Sequence, residues 1–368
     1  MSAQIDETSP SANTQRGRLI IVGTGITAIS QMTAETIGYV RGADVVFYHV
    51  NNGVTATQIR ELNANAVDLY EYYGEGKKRR ITYVEMAELM LREVRRGLTV
   101  VGIFYGHPGY FVSPARRALA IADMEGHETA MLAAVSAVDC LFSDLRVDPG
   151  VFGCQVLMAN RLLVGDSIVA TTCHVVFLQV SAVGDPGFSF SGYKSANLAG
   201  FFDKLIELYG EEQESVYYMA AIFPGFNPVI TVRKLNDYRV AAARDSIRAG
   251  ILYVPPKGVK VASLAPIQSF TDGNPYRKFE SDIVAELERH QTPPEYKLRR
   301  ASGHLYRAMV ELGTNPKARA LHHLSPIEFV AQFPDLTAKE RSAVQRKSTG
   351  GVRAVTTFTG GTPPDGIK

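Results

Sequence analysis

The residues best suited to chemistry lie between positions 68 and 83. Asp68-Leu69-Tyr70-Glu71-Tyr72-Tyr73 is followed by Gly74, Gly76, the four cations Lys77 to Arg80, and Tyr83. Tyrosine stripes more often pack a core than catalyse, yet glycines and consecutive cations are a poor recipe for a core helix. Phenols beside an arginine make a site that polarises a carbonyl while a weakly acidic proton is removed.

Two glycine segments offer places for a ligand. Tyr105-Gly106-His107-Pro108-Gly109-Tyr110 follows an apolar run ending Gly102-Ile103-Phe104 and precedes a helix begun by Ser113 and Pro114. Glycines flanking a proline at a strand end make a rigid crevice loop, in which His107 either touches the ligand or stabilises the turn. Gly23-Thr24-Gly25-Ile26-Thr27-Ala28 fits G-x-G-x-x-A after the strand-like RLIIVG, with helix-like spacing through Ile29, Met32 and Val40. That pattern predicts a tight turn and an anion at a helix N-terminus. A dinucleotide site also needs a carboxylate near the end of the second strand. FYHVNN stands there, which argues against NAD and FAD.

These segments need a scaffold, and the apolar patterning supplies one. RLIIVG, ADVVFYHV and LTVVGIF are continuous apolar runs alternating with helical spacings such as Met86, Met90 and Val94, which Gly97 stops. Alternation of this kind predicts an α/β fold with a parallel-rich sheet. After about residue 170 the runs HVVFLQV, SVYYMAAIF, PVITV and GILYV are interrupted by one clear helix, Ala196 to Tyr209, which predicts a second, more antiparallel half. Beyond Pro255-Pro256 strand signals nearly vanish. Ser325 with Glu328 and Thr337 with Glu340 are capping boxes, and Pro293-Pro294 and Asn315-Pro316 punctuate between helices. From residue 347 two Gly-Gly pairs and a Pro-Pro flank the β-branched strip Val355 to Thr359, where no helical period survives.

Bulk properties narrow the function. Thirty-nine basic against 37 acidic residues leave a formal charge of +2, too balanced for nucleic acid as the main partner. Cys140, Cys154 and Cys173 lack metal-ligand spacing and are expected to be reduced core thiols, with no metal site. Residues 1–17 are polar and expected to be disordered. No apolar run approaches the roughly 20 residues of a membrane span, and a cytoplasmic protein is expected.

Taken in order and spacing, IVGTGI, DLYEYY…GKKRRITY, VGIFYGHPGYFVSP, AVSAVDCLFSDL, VFLQV, LGTNPKA and FPDLTAKERSAV resemble the borosin family of peptide backbone α-N-methyltransferases over roughly residues 18 to 345. Several of these motifs occur in looser form in tetrapyrrole methylases. The resemblance implies a two-lobed tetrapyrrole-methylase-like α/β fold (class III methyltransferase) over 18–256, with lobes about 18–135 and 136–256. A helical clasp and carrier over 257–346 and a flexible candidate core peptide over 347–368 would follow. It implies S-adenosylmethionine between the lobes, contacted by Tyr105, His107, Tyr110, Phe111, Ser136, Ala137, Gln179, Ala221, Gly250 and Ile251. Gly250-Ile251 departs from the hydroxyl residues expected there. It implies catalysis by Arg79, Tyr83, Tyr73 and Tyr70, with Arg79 and a phenol on the amide oxygen and Tyr83 taking the amide proton beside the cation. The implied substrate is a C-terminal peptide, the chain's own or that of its partner in a homodimer, with Val355, Thr356, Thr357, Phe358 and Thr359 as candidate sites. The alternatives are a separate precursor peptide, a tetrapyrrole methyltransferase, and a non-catalytic peptide-binding protein that kept the cofactor fold.

Overall fold

In the computed structural model, residues 16–165, 168–190, 197–242, 250–259, 261 and 297–359 are described. The expectations for residues 1–15, for 262–296 including Pro293-Pro294, and for 360–368 lie outside them.

The first lobe is a five-stranded parallel sheet in the order β3-β2-β4-β1-β5, formed by β1 (Arg18–Gly23), β2 (Val45–His49), β3 (Ala66–Asp68), β4 (Thr99–Phe104) and β5 (Glu128–Met131). Both faces are covered, which is why the strands read as continuous apolar runs. Leu19 and Ile21 face α3 (Arg79–Arg95) and α4 (Ser113–Met124). Ile20 and Val22 face α1 (Ala34–Gly42) and α2 (Gly53–Leu62). Met86, Met90 and Val94 form the buried stripe of α3, and Gly97 at φ +84° closes it.

The second lobe has the order β6-β7-β10-β8-β9, from β6 (Cys154–Met158), β7 (His174–Leu178), β8 (Glu214–Met219), β9 (Val229–Lys234) and β10 (Ile251–Val254). Only β6 and β7 are parallel, so the more antiparallel half is observed. The helix expected after residue 170 is α7 (Leu198–Tyr209), and α8 (Leu235–Ala242) is added to it; α5 (Ala137–Leu145) and α6 (Ala159–Val164) precede that stretch. Helices α6 and α8 run only 6 and 8 residues, too short for periodicity to announce.

Among the described residues, five helices follow in the C-terminal region: Gly303–Thr314, Pro316–Leu324, Pro326–Ala331, Ala338–Gln345 and Thr349–Val355. Thr337 and Glu340 form the reciprocal box; Ser325 receives the Glu328 amide in one direction only. The helix over 349–355 corrects the expectation of a flexible tail without helix from residue 347. Ser348 Oγ accepts from Gly351 N at 2.9 Å, and a Cβ on Gly351 would stand 3.1 Å from that of Ala343. The glycine read as a source of flexibility thus permits close helix packing. Thr357–Thr359 then pairs antiparallel with Lys297–Arg299, a ribbon that alternating polarity does not announce.

This region is fastened to α1. At Gly38 a Cβ would lie 1.8 Å from the carbonyl oxygen of Thr314. Arg319 is paired with Glu35, donates to Tyr39 Oη at 3.0 Å and to Leu312 O at 3.0 Å, and lies over the Tyr39 ring at 5.4 Å. Arg319→Ala is expected to cost about 1–2 kcal/mol at this junction. Hydrogen exchange should then rise over 303–324 while the sheet strands keep their protection; uniform exchange across the chain would contradict it. Among the described residues, no helix is long and apolar enough to cross a membrane.

Candidate active site

The first glycine segment does not hold an anion. The helix begins at Ala34, and residues 24–33 run as turns, with Ile29 at φ +68°, outside helical space. Gln31 Oε1 accepts from Ile26 N at 2.8 Å and Thr27 N at 2.9 Å, taking the donors a phosphate would need. The loop is a seam. Gly25 bridges Gly106, Ala28 N donates to Ile222 O at 2.9 Å, and Thr27 Oγ1 to Ala221 O at 2.9 Å. A Cβ on Gly23 would fall 2.1 Å from Gly106 O. Glycine is required there because the second glycine loop, not a ligand, lies against the backbone.

Between the lobes this seam bounds a cleft of about 480 Å³, lined by Tyr105, His107, Tyr110, Phe111, Ser136, Ala137, Gln179, Gly250 and Ile251, all anticipated. Ala221 lines the neighbouring cavity instead, because its carbonyl is turned to Thr27. His107 fills both readings. Its Nδ1 accepts from Gly109 N at 2.9 Å, fixing the turn, and its ring faces the cleft. Ser136 caps α5 in a box with Asp139, Oγ to Oδ2 2.7 Å. Phe111 (φ +57°) and Gln179 (φ +58°) are left-handed, a conformation non-glycine residues rarely keep without cause.

Asn51 and Tyr218 also line the cleft and were missed. Asn51 stands in FYHVNN, a stretch searched only for a carboxylate, and it hydrogen-bonds Tyr105, whose phenol burial nonetheless pushes above its ordinary pKa. Tyr218 donates to Asp144 Oδ2 at 2.6 Å; burial and that carboxylate together hold it neutral.

The tyrosine and arginine segment gathers at the end of β2. Leu69–Tyr72 is a 3-10 turn capped by Asp68, and Arg79 is the first residue of α3. His49 stacks on Tyr70 at 6.0 Å and lies 5.4 Å from Tyr73, whose ring stacks on Phe188 at 4.3 Å. Burial lowers the pKa of His49, opposed by Asp68. His49 O receives Tyr105 N at 3.1 Å, so one strand end ties this cluster to the cleft. The Arg79 guanidinium donates to Asp185 O and its amide to Pro186 O at 3.2 Å, which carries the segment across to the second lobe. Tyr83 packs on the first-lobe core, as do Tyr72 and Tyr73. The cation run is therefore not merely solvated: Lys77 also pairs with Glu85 and donates to Tyr72 O at 2.8 Å. All three cysteines are free and half-buried rather than deep in the core.

Two family models match this chain: Tetrapyrrole (Corrin/Porphyrin) Methylases over residues 18–222 and the borosin biosynthesis clasp domain over 275–362. The methyltransferase and omphalotin A cyclic-peptide precursor of Omphalotus olearius is 38% identical, over 93% of this chain and 88% of that protein. The dendrothelin A precursor of Dendrothele bispora is 37% identical over the same shares, and the lentinulin A precursor of Lentinula edodes 36% over 92% and 87%. The chain belongs to the borosin-type methyltransferases, a tetrapyrrole-methylase domain joined to a borosin clasp.

Proposed function

We propose that this enzyme transfers methyl groups from S-adenosylmethionine to backbone amide nitrogens of its own C-terminal tail, in trans within a homodimer. The tetrapyrrole-methylase family uses that donor, and the relatives are fused precursors of cyclic peptides. The observation that carries the reading is the junction at the end of β2. There Tyr70 and Tyr73 gather on His49, whose carbonyl receives Tyr105 N from the cleft loop, and Arg79 opens the helix that follows.

The lining fits the donor. Ile26, Val138, Leu178 and Ile251 offer apolar walls for a purine, while Asn51, Ser136 and Gln179 offer polar atoms, in a volume typical of ligand pockets. Tyr105, His107, Tyr110, Phe111, Ser136, Ala137, Gln179, Gly250 and Ile251 would hold it, with Ala221 supporting the seam behind. When bound, the donor supplies an activated sulfonium methyl.

The remaining work belongs to the chain. An amide nitrogen is a poor nucleophile because its lone pair is shared with the carbonyl. Arg79 and the Tyr73 or Tyr70 hydroxyl stabilise charge on the amide oxygen, and Tyr83, acting as the phenolate beside the cation, takes the N–H proton on Oη and becomes the neutral phenol. The apolar walls exclude water, and the cleft orients the amide nitrogen toward the methyl.

Residues 347–368 number 22, and fully extended at about 3.3 Å each they would span on the order of 70 Å; reaching that length requires unwinding the helix over Thr349–Val355. Among Val355 to Thr359 none is proline, so every residue carries an N–H. Thr357–Thr359 is held on Lys297–Arg299 in this conformation, so engagement requires release of that pairing. Intact-mass and fragment-ion spectra of the chain after incubation with cofactor test the proposal. Methyl masses within 355–359 are expected. In a mixture of the Arg79→Ala chain with a chain ending at 346, methylation of the former reports transfer between subunits. A tail without added methyl masses, beside a methylated separate peptide, would overturn self-methylation.

A further inference from the structure

We infer that Phe188 and Phe190 complete, with Tyr70, an apolar subsite that seats the side chain beside the acceptor amide of an extended peptide. This rests on the peptide-methylating reading above and adds what the site selects. The rings come from the second lobe and stand against the first. Phe188 stacks on Tyr73 at 4.3 Å and meets Tyr70 edge-on at 6.0 Å. Phe190 meets Tyr70 at 6.2 Å and Phe188 at 5.0 Å, both edge-on.

The loop that carries them is fixed before any substrate arrives. Gly76 N donates to Phe188 O at 2.9 Å and Phe188 N to Lys77 O at 3.1 Å. Phe190 N donates to Glu75 Oε2 at 3.0 Å, and Lys78 bridges Gly187. Rings set in a fixed place lose little freedom on binding.

Core packing does not account for them. Phe190 is 61% exposed and Tyr70 41%, though both belong to one contiguous aromatic cluster. An exposed apolar patch beside a reactive centre marks a binding surface. The loop that carries the rings accepts the Arg79 amide on Pro186 O at 3.2 Å, so the patch adjoins the residue assigned above to the amide oxygen, and a peptide side chain is the occupant that reading supplies. The tail offers two apolar side chains in the candidate strip, Val355 and Phe358.

The test uses the full chain in a two-by-two design: native or Phe190→Ala, each with the native tail or with the tail double variant Val355→Gly and Phe358→Gly. Methyl addition is followed over time by fragment-ion spectra. With the native tail, Phe190→Ala is expected to slow methylation about tenfold, equivalent to about 1.4 kcal/mol of lost contact. With the glycine tail the two enzymes should run at the same rate, because the strip then offers no wholly apolar side chain to the subsite. An equal loss on both tails assigns Phe190 a structural role and overturns the subsite, as does no loss on either. A native chain that methylates no tail overturns the peptide reading itself, a different outcome from the other two. Phe190 is exposed, so the variant should keep the native Tm; Phe188→Leu offers a second probe with the same expected pattern.

Discussion

Arg79→Ala is expected to reduce methyl transfer by about a hundred- to a thousandfold, the range for removing one preorganised donor from a developing oxyanion. Removing the side chain costs its bond to Asp185 O but leaves the backbone tie between the lobes. The backbone amide of Arg79 would still donate to Pro186 O at 3.2 Å, and Lys78 would still bridge Gly187, so the lobes stay joined. Arg79 does not line the interlobe cleft, so binding of S-adenosylhomocysteine should be unchanged. Arg79→Lys keeps the charge and loses the planar fork, and should recover only part of the rate. Tyr83→Phe keeps the packing against the first-lobe core and removes the hydroxyl that takes the proton. Single-turnover methylation read by mass spectrometry, with a calorimetric titration of the cofactor product, separates chemistry from binding. Unchanged turnover in both variants would assign Arg79 and Tyr83 to structure and place the catalytic groups elsewhere.

Much of this arrangement is legible in the sequence, for reasons that differ by element. The parallel strands can be read because burial on both faces forces continuous apolar runs such as Leu19 to Val22. The cleft loop can be read because Gly106 at φ +74° and the proline beside Gly109 leave one kind of turn. What could not be read depends on partners distant in sequence. Gly23 looks like a phosphate-loop glycine, but the atom it makes room for is Gly106 O, eighty-three positions later. Gln31 looks like an ordinary helix residue, yet its amide saturates the N–H groups that pattern would offer to an anion. Phe188 and Phe190 lie in a short loop whose own spacing is silent; only the pairing with Gly76 to Arg79 brings them to the tyrosines. The helix over 349–355 is hidden because Gly350-Gly351 suggests slack in sequence, whereas Gly351 makes room for Ala343 in space.

Gly23→Ala is expected to abolish cofactor binding without abolishing the first sheet. Its new methyl would lie 2.1 Å from Gly106 O, 2.7 Å from Ala134 Cβ and 2.8 Å from Pro108 Cδ. Two of those atoms belong to the cleft loop, and the first is backbone, so no side-chain rotation relieves the overlap. Either β1 or the loop from Tyr105 to Tyr110 must move. β1 is paired on both sides, with β4 and β5, so the loop yields. Moving it displaces Tyr105 and His107 from the cleft and strains the Gly25 to Gly106 bridge that joins the two glycine segments. Overpacking of this kind costs about 1–3 kcal/mol in stability, which a domain of this size can survive, whereas a misplaced binding loop loses most of its contacts. Gly42→Ala is the control, since nothing lies within 4 Å of a Cβ built there. The Gly23 variant should therefore unfold a few degrees early and fail to bind S-adenosylhomocysteine at concentrations that saturate the Gly42 variant. Native affinity in Gly23→Ala would mean that the loop can be displaced without consequence. The ligand would then have to lie elsewhere than against Tyr105 and His107.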